Sequence, residues 1–200
     1  MIYNLEEGWL FLHVPKTAGT SLKEAFRVRE GDIITAQYPN FVRKDKNFHI
    51  DILAQHQNAK FFRKMPLFRN LNYYAVCRNP FDWMVSLYFS QTSKRYQEDV
   101  EKYGGKKTKQ YFDMIASKNF DEYVEMIKEP PQSFYIDHYT QMFKYEEISE
   151  LERYFNISLQ VYNKSTHDHY SKYYTNERTK EILITKYEQD FINFGYSFNI

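Results

Sequence analysis

The chain has 200 residues, 42% of them hydrophobic, with 27 basic and 26 acidic side chains for a net charge of +1. That length fits one domain with a real core. The balanced charge argues against bulk nucleic-acid binding through a basic surface, and only 6 Gly and 6 Pro argue against disorder or collagen-like repeats. The basic clusters at 43–46, 63–64 and 106–109 read as solvated faces. A single cysteine, Cys77, excludes an intramolecular disulfide and suits a reducing compartment. It ends an apolar run, so it reads as core. No stretch approaches the roughly 18 apolar residues of a membrane span, and no basic segment followed by a long apolar run opens the chain. The expectation is a soluble cytoplasmic protein, with a luminal domain cut from its anchor as the alternative.

In chain order, Trp9–Val14 reads as a short buried strand of a parallel sheet. Thr20 to Arg29 reads as a helix, and Ile33–Thr35 as a short strand after the Gly31-Asp32 turn. Residues 45–64 have loose helical periodicity after His49. Leu71–Cys77 is a strand, and Asn79 then caps a helix with Pro80 in its first turn, where the missing N–H costs nothing. Lys94–Lys109, with Gly104-Gly105 in its middle, reads as a polar surface excursion. Helical patterns follow at Tyr111–Ser117 and Phe120–Ile127, before Pro130-Pro131 breaks the chain. Gln141–Tyr145 reads as a strand, Ile148–Phe155 as a helix and Leu159–Tyr162 as a strand. The last helix starts near Thr175-Asn176, stacks Leu183, Tyr187, Phe191 and Phe194 on one face, and stops at Gly195. There is no internal repeat. Strands alternating with helices predict an α/β three-layer domain.

Two strand-to-helix junctions carry chemistry. The first, Phe11-Leu12-His13-Val14-Pro15-Lys16-Thr17-Ala18-Gly19-Thr20-Ser21-Leu22, joins a strand to a helix N-terminus through a tight loop. Free backbone N–H groups and a positive dipole end converge there, which suits a phosphate or sulfate, and Lys16 adds a full charge. The order differs from G-x-x-x-x-G-K-[ST], because Lys16 precedes Gly19 and no G-K-[ST] occurs in the chain. The plainer reading is an ordinary helix start, with Ser21-x-x-Glu24 as a capping box.

The second junction is Tyr73-Tyr74-Ala75-Val76-Cys77-Arg78-Asn79-Pro80-Phe81-Asp82-Trp83-Met84-Val85-Ser86-Leu87-Tyr88. Arg78 stands at a strand end, where a planar guanidinium can grip a phosphate with two hydrogen bonds, and Ser86 lies about two helical turns on. The plainer reading makes Arg78 a structural ion-pair partner. Ligands of open α/β sheets lie beyond the C-terminal strand ends. Both junctions deliver residues to that edge, so a ligand with two separated anionic ends fits.

These two segments resemble the 5′ and 3′ motifs of carbohydrate sulfotransferases that use 3′-phosphoadenosine 5′-phosphosulfate (PAPS), especially the bacterial group related to heparan sulfate 2-O-sulfotransferase. Tyr162-Asn163-Lys164-Ser165-Thr166, Tyr173-Tyr174-Thr175 and Asp190-Phe191-Ile192-Asn193-Phe194-Gly195-Tyr196 are similar to that family's closing segment. The resemblance implies one sulfotransferase domain over 1–200, with a P-loop-like fold whose central, mainly parallel sheet is flanked by helices. By position it implies that Lys16, Thr17, Ala18, Gly19, Thr20 and Ser21 hold the 5′-phosphosulfate. Arg78 and Ser86 would hold the 3′-phosphate, and Asn163, Lys164 and Ser165 would line a loop over the nucleotide. Trp83 stands where the family often has arginine. The poorly matching segment 94–131 would be a helical or mobile excursion on the acceptor side. PAPS is the expected co-substrate, PAP the product, and no metal is expected.

The implied reaction is an in-line displacement in which positioning and charge stabilisation dominate. Lys16 and the loop amides would stabilise the leaving phosphate oxygen. A histidine would take the acceptor's proton. His49 is the first candidate and His56, about two helical turns on, the second, with Asp51 as the fallback. His13 reads as a packed, hydrogen-bonded residue, and His138, His167 and His169 have no motif support. The expected acceptor is a hydroxyl compound, by resemblance a glycan, and neither nucleic acid nor a membrane span is expected. The alternatives are a nucleotide kinase or NTPase with a variant loop, and a non-catalytic PAP-binding module. Oligomeric state is not legible.

Overall fold

A computed structural model describes residues 2–27, 33–34, 56–160 and 167–200. The chain divides into two units, Met1–Arg78 with Gln132–Asn163, and Asn79–Pro131 with Lys164–Ile200.

The first unit is built on a sheet. Among the described residues its strands are β1 (Ile2–Asn4), β2 (Trp9–Phe11), β3 (Ile33–Ile34), β4 (Asn72–Cys77) and β5 (Gln141–Lys144), in the order β3-β1-β2-β4-β5. β2 pairs parallel with β4, and β4 with β5. β1 pairs antiparallel with both β2 and β3. The expectation of a mainly parallel sheet is therefore corrected to a mixed one. The reason is local: Ile2–Asn4 forms a strand the sequence pattern did not reveal, and a four-residue turn returns it to Trp9 as a hairpin. Asn4 fastens that turn by accepting from the N–H groups of Glu6 and Glu7 at 3.0 and 2.9 Å.

Strand alternation sends side chains to two faces. On one, Trp9, Phe11, Tyr74, Val76 and Phe143 pack with Leu22 and Phe26 of α1 (Gly19–Arg27) and with Leu151 and Phe155 of a helix at Ile148–Phe155. On the other, Leu10, Leu12, Tyr73 and Ala75 pack with Ala59 and Phe62 of α2 (Ala59–Arg63) and with Phe68 and Tyr135. Helical or turn structure thus covers both faces of this unit's sheet. Because β2 and β4 run parallel in the register Leu10↔Tyr73, their C-terminal ends lie at one edge. Leu12 extends the ladder, its N–H donating to the Tyr74 carbonyl at 2.8 Å.

The second unit is helical among the described residues: α3 (Pro80–Gln91), α4 (Lys94–Tyr103), α5 (Lys106–Ala116) and α6 (Phe120–Met126) precede the first unit's Ile148–Phe155 helix, α7, and α8 (Glu177–Phe194) closes the unit. Asn79 caps α3 as expected, its side chain accepting from the Phe81 N–H at 3.0 Å, with Pro80 at the helix start. Leu183, Tyr187, Phe191 and Phe194 are buried along α8, which bends at Tyr187 and ends at Gly195 with φ +65°. Trp83 is fully buried, edge-on to Tyr187 at 5.3 Å. Lys94–Lys109 holds α4 and the start of α5, with Gly104-Gly105 at the break between them. Ser93 caps α4, and Lys109 pairs with Glu101 at 2.8 Å between α4 and α5. No strand forms at Leu159 and Gln160; the Leu159 N–H donates to the Glu152 carboxylate at 2.6 Å, and the rest of that expected strand lies outside the described residues. No described helix is long and apolar enough to cross a membrane.

Candidate functional site

The first junction forms a strained loop. Lys16 and Ala18 both take left-handed backbone conformations, with φ +62° and +69°. Such conformations in residues other than glycine cost on the order of 1–3 kcal/mol each and concentrate at functional sites. Alternating backbone hand turns successive N–H groups toward one side and makes an anion-binding concavity. Thr17 is buried and holds the loop closed, its hydroxyl donating to the Val14 carbonyl at 2.9 Å. The Leu22 N–H donates to the Ala18 carbonyl at 3.0 Å. Helix α1 starts at Gly19, so Ser21 lies inside its first turn and is buried. Ser21 therefore does not cap the helix, and the capping-box reading is corrected.

Gly19 is required by proximity, not by its φ. A Cβ there would fall 2.4 Å from His13 Nε2 and 2.9 Å from His13 Nδ1. The His13 ring thus lies against the helix start, and a His56 ring meets it edge-on at 4.8 Å. Burial pushes the His13 imidazole well below its ordinary range, and the charges of the N-terminal amine, His56, Lys23 and Lys16 add to this. His56 is pushed down to about 4, mainly by burial, while a hydrogen bond to the His13 backbone opposes the shift. His56 still presents surface to solvent, which tempers that depression. Lys23, one turn beyond Gly19, is 5% exposed, and its Nζ has no hydrogen-bond partner among the described residues. Burial lowers its amine to about 8.

The second junction reaches the first through Arg78. Its Nη1 donates to the Lys16 carbonyl at 3.2 Å. Its guanidinium carbon lies 4.3 Å from the centre of the Tyr145 ring, a cation–π arrangement. Gln132, fully buried, clamps the same residue's backbone: its Oε1 accepts from the Arg78 N–H at 2.9 Å, and its Nε2 donates to the Arg78 carbonyl at 2.8 Å. Cys77 is buried as core, its thiol facing the Phe143 carbonyl at 3.6 Å.

The first unit thus brings together Lys16, Thr17, Ala18, Gly19, Thr20, Ser21, Arg78 and His56 among the expected site residues. Ser86 is buried on α3 in the second unit. His49, Asp51, Asn163, Lys164 and Ser165 lie outside the described residues. Sequence reasoning missed Gln132 and Tyr145, which carry no motif and meet Arg78 only through the fold. It also missed Lys23, which reads as an ordinary solvated helix lysine. Among the described residues there is no cluster of three or more His, Cys, Asp or Glu side chains arranged to hold a metal ion.

The site resembles an anion cradle beside a guanidinium and an imidazole pair. Comparison with known families agrees in kind: residues 1–148 match the model of the sulfotransferase family, and both junctions fall inside that span. No curated protein and no solved structure matches the chain significantly. With about three quarters of its length matched to the family model, the chain belongs to the sulfotransferase family.

Proposed function

We propose that this protein transfers a sulfuryl group from PAPS to a hydroxyl acceptor, a carbohydrate being the favoured class. The observation that carries the reading is the contact of Arg78 with the Lys16 carbonyl, across 62 residues of sequence. It sets a guanidinium beside a loop whose strained backbone suits an anion. A nucleotide with anionic groups at both ends matches that pairing. In this reading residues 16–21 hold the 5′-phosphosulfate, and Arg78 reads the 3′-phosphate together with Ser86. Asn163, Lys164 and Ser165 belong to the same proposal as a loop over the nucleotide. The whole chain acts as one sulfotransferase domain, with 94–131 on the acceptor side.

The residues divide the chemistry. The acceptor hydroxyl forms its new bond to sulfur as the bond between sulfur and the phosphate oxygen breaks. Lys16 and the loop N–H groups stabilise the charge gathering on that oxygen, where one well-placed donor contributes about 3 kcal/mol. A neutral histidine takes the acceptor's proton. His49 and His56 are the candidates, and the depressed His56 keeps its ring unprotonated at neutral pH. The kinship to heparan sulfate 2-O-sulfotransferases and a cytoplasmic setting rest on the motif resemblance and the single thiol.

Calorimetric titration with PAP, PAPS and ATP, each with and without Mg²⁺, tests the reading. Tight PAP binding independent of metal supports it. ATP binding that needs Mg²⁺, with no PAP binding, replaces it with a nucleotide kinase. PAP binding with no transfer to any hydroxyl in a broad acceptor screen reduces it to a binding module.

A further inference from the structure

We propose that Lys23 is a further binding residue of the anion cradle, contacting the 5′-phosphate end of the nucleotide alongside the loop of residues 16–21. The proposal rests on the nucleotide reading above and adds a residue that no motif assigns.

Lys23 sits in the second turn of a nine-residue helix, four residues after Gly19. Residues four apart share a helix face, and helical side chains slant toward the N-terminus. The Lys23 side chain therefore runs back along the Gly19 face, the face against which the His13 ring is pressed. Its charge acts on both His13 and His56, so the ammonium lies within electrostatic range of the imidazole pair. The side chain is 95% buried, and Nζ donates to nothing among the described residues. Buried ammonium groups without a partner are costly, and an anionic ligand is one group that would supply the missing acceptor. The surrounding titratable groups are Lys16 on the loop, His13 just beyond β2, His56 before α2 and the N-terminal amine, whose charge acts on both imidazoles. All are basic, so an arriving anion meets them as a set. The chemical class of ligand is a phosphate or sulfate ester.

The amine is lowered to about 8, so part of the population is neutral at pH 8.5. Anion binding restores the charged form, and the protein takes up a proton. PAP itself is fully ionised there, and His13 and His56 stay neutral. Calorimetry of PAP and of adenosine 3′-phosphate at pH 8.5, in buffers of different ionisation enthalpy, reads both affinity and proton uptake. The proteins are the wild type, Lys23→Met and Lys23→Arg, with thermal unfolding as the folding control. In the wild type, PAP binding takes up a fraction of a proton. Lys23→Met loses that uptake, weakens PAP by on the order of 10- to 100-fold, and leaves adenosine 3′-phosphate unchanged. Lys23→Arg recovers most of the affinity. Unchanged PAP affinity and uptake in a folded Lys23→Met protein overturns the role of Lys23 alone. A wild type that binds neither PAP nor PAPS overturns the nucleotide reading and this proposal with it.

Discussion

Arg78 Nη1 donates to the backbone carbonyl of Lys16 at 3.2 Å, joining a strand end to a loop 62 residues earlier in the chain. The contact exists because β2 and β4 are parallel neighbours, so the segments that leave them start from the same edge of the sheet. The guanidinium steadies the loop through Lys16, and the proposed function gives it a second duty toward the nucleotide.

Replacing Arg78 separates those duties. Arg78→Ala should weaken PAP by about 10- to 100-fold, as expected for losing hydrogen bonds to a charged group. The analogue lacking the 3′-phosphate should weaken much less. Equal weakening of both, measured by calorimetry, would show that Arg78 serves the loop and not that phosphate.

Lys16→Ala should lower turnover by about 100- to 1,000-fold while PAP affinity falls far less, because the ammonium acts where charge develops. Single-turnover kinetics with labelled PAPS, set beside PAP titrations, checks the split. Turnover equal to that of the wild type removes Lys16 from the reaction.

The close packing of His13 on Gly19 makes a sharp prediction about stability. Gly19→Ala places a methyl group inside the His13 ring contact and should destabilise the protein by about 1–3 kcal/mol. Adding His13→Ala should return part of that loss, since the two side chains compete for one space. Urea unfolding of the two single variants and the double variant measures the coupling, and strict additivity would refute the steric account.

Gln132 binds both the N–H and the C=O of Arg78. Gln132→Ala removes both of these buried hydrogen bonds and should cost about 2–4 kcal/mol. Nucleotide affinity should fall as well, because the strand end that carries Arg78 loses its clamp. A stable variant with unaltered PAP binding would show that water replaces the amide.

Burial lowers the imidazoles of both His13 and His56 from an ordinary value of 6.5. Below that pH the unfolded chain binds more protons than the folded one, so stability falls as pH drops from about 6.5 toward 4 and is insensitive to these groups above it. Denaturant midpoints at pH 7.0, 5.5 and 4.5 should decline in that order, and His56→Gln should flatten part of the decline. Lys23 has the same sign in a higher window. Its depressed amine makes stability rise between about pH 8 and 10.5. Removing the charge in Lys23→Met should stabilise the fold at pH 7 by roughly 2–3 kcal/mol.

Local patterns settled much of this protein. Trp9–Phe11 and Asn72–Cys77 are strands because short apolar runs bounded by polar turns have no better way to bury both faces. Asn79-Pro80 starts a helix, and Gly195 ends one, for reasons of capping and backbone freedom alone. The order Pro15-Lys16-Thr17-Ala18-Gly19-Thr20-Ser21 marks a tight loop into a helix, which the structure forms with left-handed backbone at Lys16 and Ala18. What needed the tertiary structure is every relation between distant segments. The hairpin that makes the sheet mixed depends on Ile2–Asn4 finding β2 and β3 as partners, which a three-residue strand does not advertise. Gly19 is constrained by His13, Arg78 by Gln132 and Tyr145, and Lys23 by burial. Each of these is a contact or an exclusion of water. Side-chain type and spacing specify local geometry, but packing alone decides which distant groups share one dry space.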